Sequence, residues 1–92
     1  MKNLTLIIPA KNEAESLPIF LKELQNLDVN IIVVLPDEDK DTQNSIKNLS
    51  NIKMLIQKKN GYGSAIIEGL NNSKTDYSCI INADGSMDPK YL

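Results

Sequence analysis

The spacing of apolar residues constrains the fold of this chain more than any other feature of its sequence. The apolar residues that could form strands fall in short, nearly continuous runs rather than alternating with polar ones. The four runs are LTLII at 4–8, IIVVL at 31–35, IKMLI at 52–56 and YSCII at 77–81. Such runs are typical of strands that are covered on both faces, as in a parallel sheet.

The segments between the runs have helical periodicity and are long enough for right-handed crossovers between parallel strands. Apolar side chains mark one face of each predicted helix. These faces are Leu17, Phe20, Leu21, Leu24 and Leu27 in the first helix, Thr42, Ile46 and Leu49 in the second, and Ile66, Ile67 and Leu70 in the third. The order β-α-β-α-β-α-β predicts an α/β fold, an open parallel sheet of four strands with three crossover helices.

Residues that favour helix starts precede each of these faces. Asn12, followed by Glu15 three residues later, resembles a capping pair for the first helix. Asp39 or Asp41 is placed to cap the second helix, and the turn that begins at Gly61 is placed to open the third.

Composition excludes several classes of function. The chain has 92 residues, enough for one domain, and its net charge of −2 leaves no basic surface for nucleic acid. It contains no histidine, which removes histidine-based acid–base catalysis and most zinc sites. The single cysteine, Cys79, cannot form an intrachain disulfide, and its apolar run predicts a small buried side chain.

The sequence carries no signal for export or membrane insertion. The apolar run near the N-terminus is too short for a signal peptide. No stretch approaches the roughly 20 apolar residues that a membrane-spanning helix needs. We therefore expect a cytoplasmic chain with no membrane segment of its own.

The segments that follow the four runs hold most of the polar residues with functional potential. In an open parallel sheet these carboxyl ends meet at one edge, and ligands bind there, at the point where the winding reverses. Helix caps gather in the same loops for structural reasons, so capping is the alternative interpretation. The segments read PAKNEAE at 9–15, PDEDKDT at 36–42, QKKNGYGSA at 57–65 and NADGSMDP at 82–89.

The first two segments offer hydrogen-bonding groups to a flat polar ligand. Asn12 and Glu13 stand at the start of the first helix, where they either cap the helix or contact a ligand such as a nucleobase. Asp37 follows Pro36 directly and is placed to accept a hydrogen bond from an imide or a ribose hydroxyl.

The third segment is basic and rich in glycine. Lys58 and Lys59 could offset phosphate charge, and Gly61 and Gly63 permit the close approach of a phosphate; a simple turn is the alternative. GYGSAI also matches part of the dinucleotide-binding fingerprint. Against that match, Ile66 occupies the third glycine position, and the motif follows the third run rather than the first.

The last segment is acidic. Asp84 and Asp88 can present carboxylate oxygens to a hard divalent cation, and Asn82 can add a neutral oxygen. Mg²⁺ needs only one or two protein carboxylates when substrate phosphates supply further ligands. The segment therefore predicts a Mg²⁺ or Mn²⁺ site, with an acidic turn ahead of a further helix as the alternative.

Taken in order, these segments resemble the nucleotide-sugar-binding half of an inverting family 2 glycosyltransferase of the GT-A fold. The resemblance covers essentially the whole chain, 1–92, and is closest to the branch of polyprenyl-phosphate sugar synthases. It implies the sheet order 3-2-1-4, a nucleoside-diphosphate sugar donor and a divalent metal that acts as a Lewis acid as the nucleoside diphosphate leaves. The motifs that carry it are IIPAKNEAESL, the acidic loop after the second run, KNGYGSAIIEGL and INADGSMDP.

The resemblance also implies roles for individual residues. Asp37 would contact the base, Gly61 and Gly63 would form the turn near the donor, and Asp84 would bind the metal that bridges the donor diphosphate. The predicted site combines these residues with Asn12 and Lys59 from the loops described above. Donor binding is assigned to Pro9, Ala10, Asn12, Glu13, Asp37, Lys59, Gly61, Gly63, Asn82 and Ala83, and metal binding to Asp84.

Three features depart from the family pattern. Asn82 replaces the first Asp of the Asp-x-Asp motif, and Pro36, followed by Glu38 and Asp39, alters the acidic loop. The chain ends at Leu92, before the acceptor-binding half that would hold the general base and often membrane-anchoring segments. We therefore expect a donor-binding half that does not transfer sugar by itself and that is marginally stable or self-associates through the open edge of its fourth strand.

Two other functions remain open at this point. Sugar nucleotidyltransferases have a similar sheet, but they usually carry a glycine-rich loop with Arg or Lys after the first strand, where this chain reads PAKNEAE. The third interpretation is a non-catalytic α/β module whose loops bind nothing. Metal-dependent nucleotide binding separates the two binding functions from the inert module.

Overall fold

Strands and helices alternate along residues 3–82, the part of the chain that the computed structural model describes. The apolar runs become strands, as predicted, and each pair of consecutive strands is joined by one helix. The elements are β1 (Leu4–Pro9), α1 (Leu17–Leu24), β2 (Asn30–Leu35), α2 (Lys40–Ile46), β3 (Ile52–Ile56), α3 (Tyr62–Asn72) and β4 (Tyr77–Ile80).

The four strands form one parallel sheet in the order β3-β2-β1-β4, which confirms the predicted fold class and strand order. Within the sheet Leu6 of β1 pairs with Ile31 of β2 and with Cys79 of β4. The chain winds in one direction from β1 to β3 and then crosses back to β4. The winding therefore reverses between β1 and β4.

The core lies in two layers, one on each face of the sheet, because successive side chains of a strand point to opposite faces. Leu6 and Ile8 of β1 belong to the layer beneath α1 and α2, whereas Ile7 belongs to the layer beneath α3. Burial on both faces explains why the strands read as continuous apolar runs. Cys79 lies on the edge strand and is only half-buried, so the prediction of a buried cysteine was wrong.

The predicted helix faces need three corrections. In α3 the buried residues are Ala65, Ile66 and Gly69, whereas Ile67 and Leu70 are 59% and 43% exposed. Two of these three buried residues are small, and a Cβ added to Gly69 would lie 2.5 Å from Cγ2 of Ile7. The backbone of α3 lies very close to the sheet at Gly69. The buried face of this helix is therefore not the one that its large apolar residues predict.

The other two corrections concern residues beyond helix ends. The helix α1 ends at Leu24, so Leu27 is not part of its buried face and is 54% exposed. Phe20 is partly buried against the core. The helix α2 ends at Ile46, and Leu49 lies in the following turn, where it is partly buried against the same core.

The capping predictions had mixed outcomes. Asp39 is the N-cap of α2, and its side chain accepts a hydrogen bond from the amide of Thr42, as predicted. The N-cap of α1 is Ser16 rather than Asn12, and a proline in the first turn suits this start because proline lacks an amide donor. The helix α3 begins at the predicted turn, with Gly61 as its N-cap.

None of the helices within residues 3–82 is long and apolar enough to cross a membrane.

Candidate functional site

The carboxyl ends of the strands meet at one edge of the sheet, and backbone hydrogen bonds extend the strand pairing into the loops that follow. The amide of Ala10 donates to the carbonyl of Val34 at 2.9 Å, and the amide of Gln57 donates to the carbonyl of Leu35 at 2.8 Å. On the other side of β1, the amide of Ile81 donates to the carbonyl of Ile7 at 3.0 Å. The first residues of these loops are therefore held in place by hydrogen bonds to the neighbouring strands.

The loop after β1 is attached to the start of α2 by two buried side chains. The amide of Asn12 donates to Oδ2 of Asp39 at 2.7 Å, and the amide of Glu13 donates to Oγ1 of Thr42 at 3.0 Å. Asp39 is 7% exposed and Thr42 is fully buried. Asn12 has a φ of 58°, a left-handed conformation that asparagine tolerates better than most residues. Sequence analysis gave Asp39 only a capping role and missed this attachment.

The hydrogen bonds to Asp39 also determine its ionisation. Burial by itself would raise the pKa of this carboxyl group. The amide of Asn12, the hydroxyl and amide of Thr42 and the positive charge of Lys11 outweigh burial and hold the pKa below its ordinary value of 3.8. Asp39 is therefore ionised at neutral pH, and its charge is stabilised by fixed donors.

Asp37 lies on the outside of the same loop. Its carboxylate forms an ion pair with Nζ of Lys40 at 3.1 Å, and the side chains of Asp37 and Lys40 are 77% and 64% exposed. An ion pair this exposed contributes little to stability. The acidic loop thus directs one carboxylate inward, at Asp39, and one outward, at Asp37.

The glycine-rich loop is held from both sides. The carboxylate of Glu68 accepts hydrogen bonds from the amides of Lys58, at 2.9 Å, and Lys59, at 3.3 Å. On the other side, Nε2 of Gln57 donates to the carbonyls of Lys59 and Gly61 at 2.6 and 3.3 Å. These bonds hold the loop backbone, while the side chain of Lys59 is exposed.

The two predicted glycines differ in role. Gly61 has a φ of 107°, which side-chain-bearing residues rarely adopt, so the turn requires glycine there. Gly63 lies within the first turn of α3 and does not share this conformation.

A tyrosine joins the start of α3 to the end of β4. The hydroxyl of Tyr62 donates to Oδ1 of Asn82 at 2.7 Å. This bond spans the point of the sheet edge where the winding reverses. Sequence analysis did not select Tyr62; its only signal was an aromatic residue between the two loop glycines.

A cavity of about 220 Å³ lies at this edge, between the ends of β1, β2 and β3 and the start of α3. Its apolar lining residues include Pro9, Pro36, Ala65 and Tyr62. This volume is below the roughly 300–1,000 Å³ of typical ligand pockets, so the cavity suits one part of a ligand, such as a planar ring. Its lining residues are Pro9, Ala10, Lys11, Pro36, Glu38, Gln57, Asn60, Gly61, Tyr62 and Ala65.

The described residues form further concavities. Asn12 and Glu13 line one of about 370 Å³ at the same edge, together with Asp39, Asp41 and Thr42. A larger one, of about 620 Å³, lies at the opposite edge of the sheet, at the amino ends of the strands. We favour the smaller cavity at the carboxyl edge, because open parallel sheets bind ligands at that edge.

The structure divides the predicted site residues into groups. Pro9, Ala10 and Gly61 line the favoured cavity, and Asn82 is bonded to its wall through Tyr62. Asn12 and Glu13 line the neighbouring concavity, while Asp37 and the side chain of Lys59 are exposed. The predicted residues Ala83 and Asp84 lie outside the described part of the chain.

The predicted metal ligand, Asp84, also lies outside the described residues. Within residues 3–82, no group of three or more acidic, cysteine or histidine side chains is placed to hold a metal ion. The one described residue of the Asp-x-Asp position is Asn82, whose amide oxygen accepts a hydrogen bond from Tyr62. Metal binding by Asp84 stays a prediction.

Comparison with known proteins gives a consistent picture. The family model described as glycosyl transferase family 2 matches residues 5–92. An uncharacterized glycosyltransferase of Mycobacterium bovis is 32% identical over 84 residues, which cover 91% of this chain and 38% of the relative. Uncharacterized glycosyltransferases from two strains of Mycobacterium tuberculosis match with the same identity and coverage. The chain thus spans 38% of the length of these relatives.

Proposed function

The chain belongs to glycosyltransferase family 2, and from this premise we propose that its carboxyl-edge cavity binds the nucleotide of a nucleoside-diphosphate sugar. The observation that carries the proposal is the position of the cavity. It lies at the sheet edge where open α/β folds bind ligands, and Tyr62 in its lining is hydrogen-bonded to Asn82, which follows β4.

The lining of the cavity supports a nucleobase as its occupant. Pro9 and Pro36 are buried and rigid, and Tyr62 is 45% exposed, so the lining combines fixed apolar groups with an aromatic ring that a flat base can contact. Polar groups of Gln57 and Asn60 lie among them. A mostly apolar wall with a few polar groups is the usual composition of a small-molecule site.

The rest of the donor would extend from the cavity toward the end of β4. Asn82 ends the described part of β4's loop, and Asp84 follows it in the sequence. We propose that Asp84 holds Mg²⁺ or Mn²⁺ when the donor diphosphate is bound, since such ions combine one or two carboxylates with phosphate oxygens. The ion would neutralise charge on the leaving diphosphate.

Sugar transfer also requires an acceptor site. We propose that, in proteins such as these relatives, the acceptor site lies in the part of the protein that this chain does not match. The chain covers 38% of them. A polyprenyl phosphate is the acceptor class that the sequence resemblance favours. Family membership favours this function over a sugar nucleotidyltransferase.

Isothermal titration calorimetry of the purified chain tests donor binding. We expect UDP or GDP to bind, and to bind more tightly with Mn²⁺ present. Tyr62→Ala should weaken binding by about 1–3 kcal/mol, the usual contribution of a base stacked on an aromatic ring.

Tyr77→Ala is the matched control for this experiment. Tyr77 is also an exposed tyrosine, at 64%, but it lies on β4 and does not line the cavity. Its removal should leave nucleotide affinity unchanged. Absence of nucleotide binding with or without Mn²⁺ would instead support the inert α/β module.

A further inference from the structure

Two large apolar side chains of α3 face solvent instead of the sheet. Ile67 and Leu70 are both exposed, and their spacing of three residues places them on one side of the helix. Neither residue lines the cavity at the carboxyl edge. We call this side the outer face of α3. Exposed apolar residues that lie together, unlike single ones, mark interaction surfaces.

Positive charge lies at both ends of this helix. Lys58 and Lys59 belong to the loop before α3, and their amides donate to the carboxylate of Glu68 on the helix itself. At the other end, Lys74 follows the C-cap of α3 directly. All three lysines are exposed.

A fourth lysine lies on β3, on the same side of the sheet. Leu55 belongs to the core layer beneath α3, and side chains two residues apart in a strand point to the same face, so Lys53 projects toward the α3 side. Lys53 is exposed as well. Within the described residues, none of the four ammonium groups forms an ion pair. Their charges therefore remain available to an anionic partner.

The charge of the chain is divided between the two faces of the sheet. Residues 11–47, which include α1 and α2, carry four lysines and eight carboxylates, whereas residues 53–76, which include α3, carry four lysines and two carboxylates. Both of those two carboxylates are engaged, Glu68 by the loop amides and Asp76 by Nδ2 of Asn3 at 3.1 Å. The net charge of −2 thus conceals a basic side.

The combination of lysines with exposed aliphatic groups favours a lipid surface as the partner. A nucleic acid would neutralise the lysines but leave Ile67 and Leu70 in water. A helix of 11 residues presents a strip of roughly 16 by 10 Å. This is far less than the roughly 800 Å² that each partner of a specific protein complex contributes. A bilayer is fluid, needs no matching shape and accepts apolar groups that lie among basic ones.

We propose that the outer face of α3 binds the surface of a lipid bilayer that contains anionic lipids. Ile67 and Leu70 enter the boundary between headgroups and acyl chains, and the lysines around α3 contact the anionic headgroups. The contact is peripheral and reversible. It is also independent of the proposed nucleotide site.

Vesicle flotation with the intact chain tests the inference. We expect the chain to float with vesicles of phosphatidylcholine mixed with phosphatidylglycerol. It should bind pure phosphatidylcholine at least about tenfold more weakly, because each lysine near an anionic surface contributes about fivefold in affinity. Added salt should weaken binding, since it screens exposed charges. Flotation separates bound chain from self-associated chain, which does not rise with lipid.

Ile67→Asp should weaken binding to the mixed vesicles by about tenfold or more, because it removes an apolar side chain and adds a negative charge. Ile19→Asp is the matched control. Ile19 has a similar exposed fraction, 64% against 59%, but it lies on α1, on the other side of the sheet. Its substitution should change vesicle binding much less.

Lys74→Glu tests the electrostatic part, with Lys47→Glu as its control. Both lysines are exposed and lie at the C-terminal end of a helix, Lys74 at α3 and Lys47 at α2. Lys74→Glu should weaken binding by at least about fivefold, and Lys47→Glu should have a much smaller effect. Thermal melts would confirm that all four variants fold.

Three outcomes would overturn the inference. If the chain floated with neither kind of vesicle, the partner of the outer face of α3 would be an acidic protein rather than a membrane. Equal binding to both kinds of vesicle would remove the role of anionic lipid. Equal effects of Ile67→Asp and Ile19→Asp would place the lipid contact elsewhere on the chain. None of these outcomes bears on nucleotide binding, which the calorimetry tests separately.

Discussion

Two buried side chains, Asp39 and Thr42, determine how the loop after β1 is held. Each accepts a hydrogen bond from the backbone of that loop, across 27 and 29 residues of sequence. Both are buried, so loss of either acceptor would leave an amide without its partner in a poorly hydrated place. The two differ in one respect: Asp39 carries a charge whose stabilisation depends on pH, whereas Thr42 does not titrate.

Asp39→Asn should therefore destabilise the chain in a pH-dependent way. Its folded-state pKa is lowered, so its stabilising contribution is complete above the unfolded pKa of about 3.9 and is lost as pH falls through the folded pKa. We expect a loss of about 1–3 kcal/mol in the free energy of unfolding at pH 7. Urea denaturation should show a smaller difference from the unchanged chain at pH 3.

Thr42→Val is the companion to that measurement. It removes the hydroxyl that accepts from Glu13 and that also helps to stabilise the charge of Asp39. The loss in unfolding free energy, about 1–3 kcal/mol at pH 7, should therefore also become smaller at pH 3. A pH-independent effect of Asp39→Asn would contradict the assignment of a stabilised carboxylate at that position.

The helix α3 illustrates how one element is placed by its smallest residue. Gly69 faces the sheet, where an added Cβ would lie 2.5 Å from Cγ2 of Ile7 and 3.3 Å from Cγ2 of Val34. Both partners are β-branched and fully buried, so they cannot move aside easily. The close contact sets how near α3 lies to the sheet, and the same helix begins with Tyr62 at the candidate site.

Gly69→Ala should destabilise the chain even though alanine favours helices by about 1 kcal/mol over glycine. Overpacking of a buried contact costs about 1–3 kcal/mol, and the crowding at Ile7 places this site toward the upper part of that range. We expect a net loss of about 1–2 kcal/mol in unfolding free energy, measured by chemical denaturation.

Gly63→Ala tests the same substitution in the same helix without crowding. A Cβ there would meet nothing within 4 Å, and the residue does not have a positive φ. The variant should be neutral or up to about 1 kcal/mol more stable. If both variants were equally stable, the close packing of α3 on the sheet would be wrong.

For the molecule as a whole, β4 forms one of the two edges of the described sheet, where backbone groups are open to further pairing. Among the described strands, β4 pairs only with β1. Tyr77 and Ile81 donate their amides toward β1, so the amides of the alternating residues between them point the other way. Such an edge can pair with another copy of the chain.

We predict that the chain self-associates through β4 in a concentration-dependent manner, which light scattering would detect. Tyr77→Lys places a charge at this edge and should reduce association. Ile19→Lys introduces the same charge on α1, at a residue that is also 64% exposed, and should have no such effect. A monomer at high concentration would contradict the prediction, as would equal effects of both substitutions.

The sequence alone determined which segments become strands and helices, and that they form a parallel α/β sheet. Continuous apolar runs and helical spacing are local properties, and each run became the strand that it predicted. The order of strands and the family came from motifs in sequence order, and both are shown. The predicted face of α3 was wrong at Ile67 and Leu70, because apolar size does not report how closely a helix approaches the sheet.

Only the tertiary structure decided what the loop residues contact. Asp37 and Asp39 are nearly indistinguishable in sequence, yet one is exposed and the other holds a loop 27 residues away. The bond from Tyr62 to Asn82 and the orientation of Gln57 likewise depend on how separate loops meet at the sheet edge. The physical reason is that secondary structure follows local patterns, whereas a hydrogen-bond partner is chosen by proximity, which the fold creates.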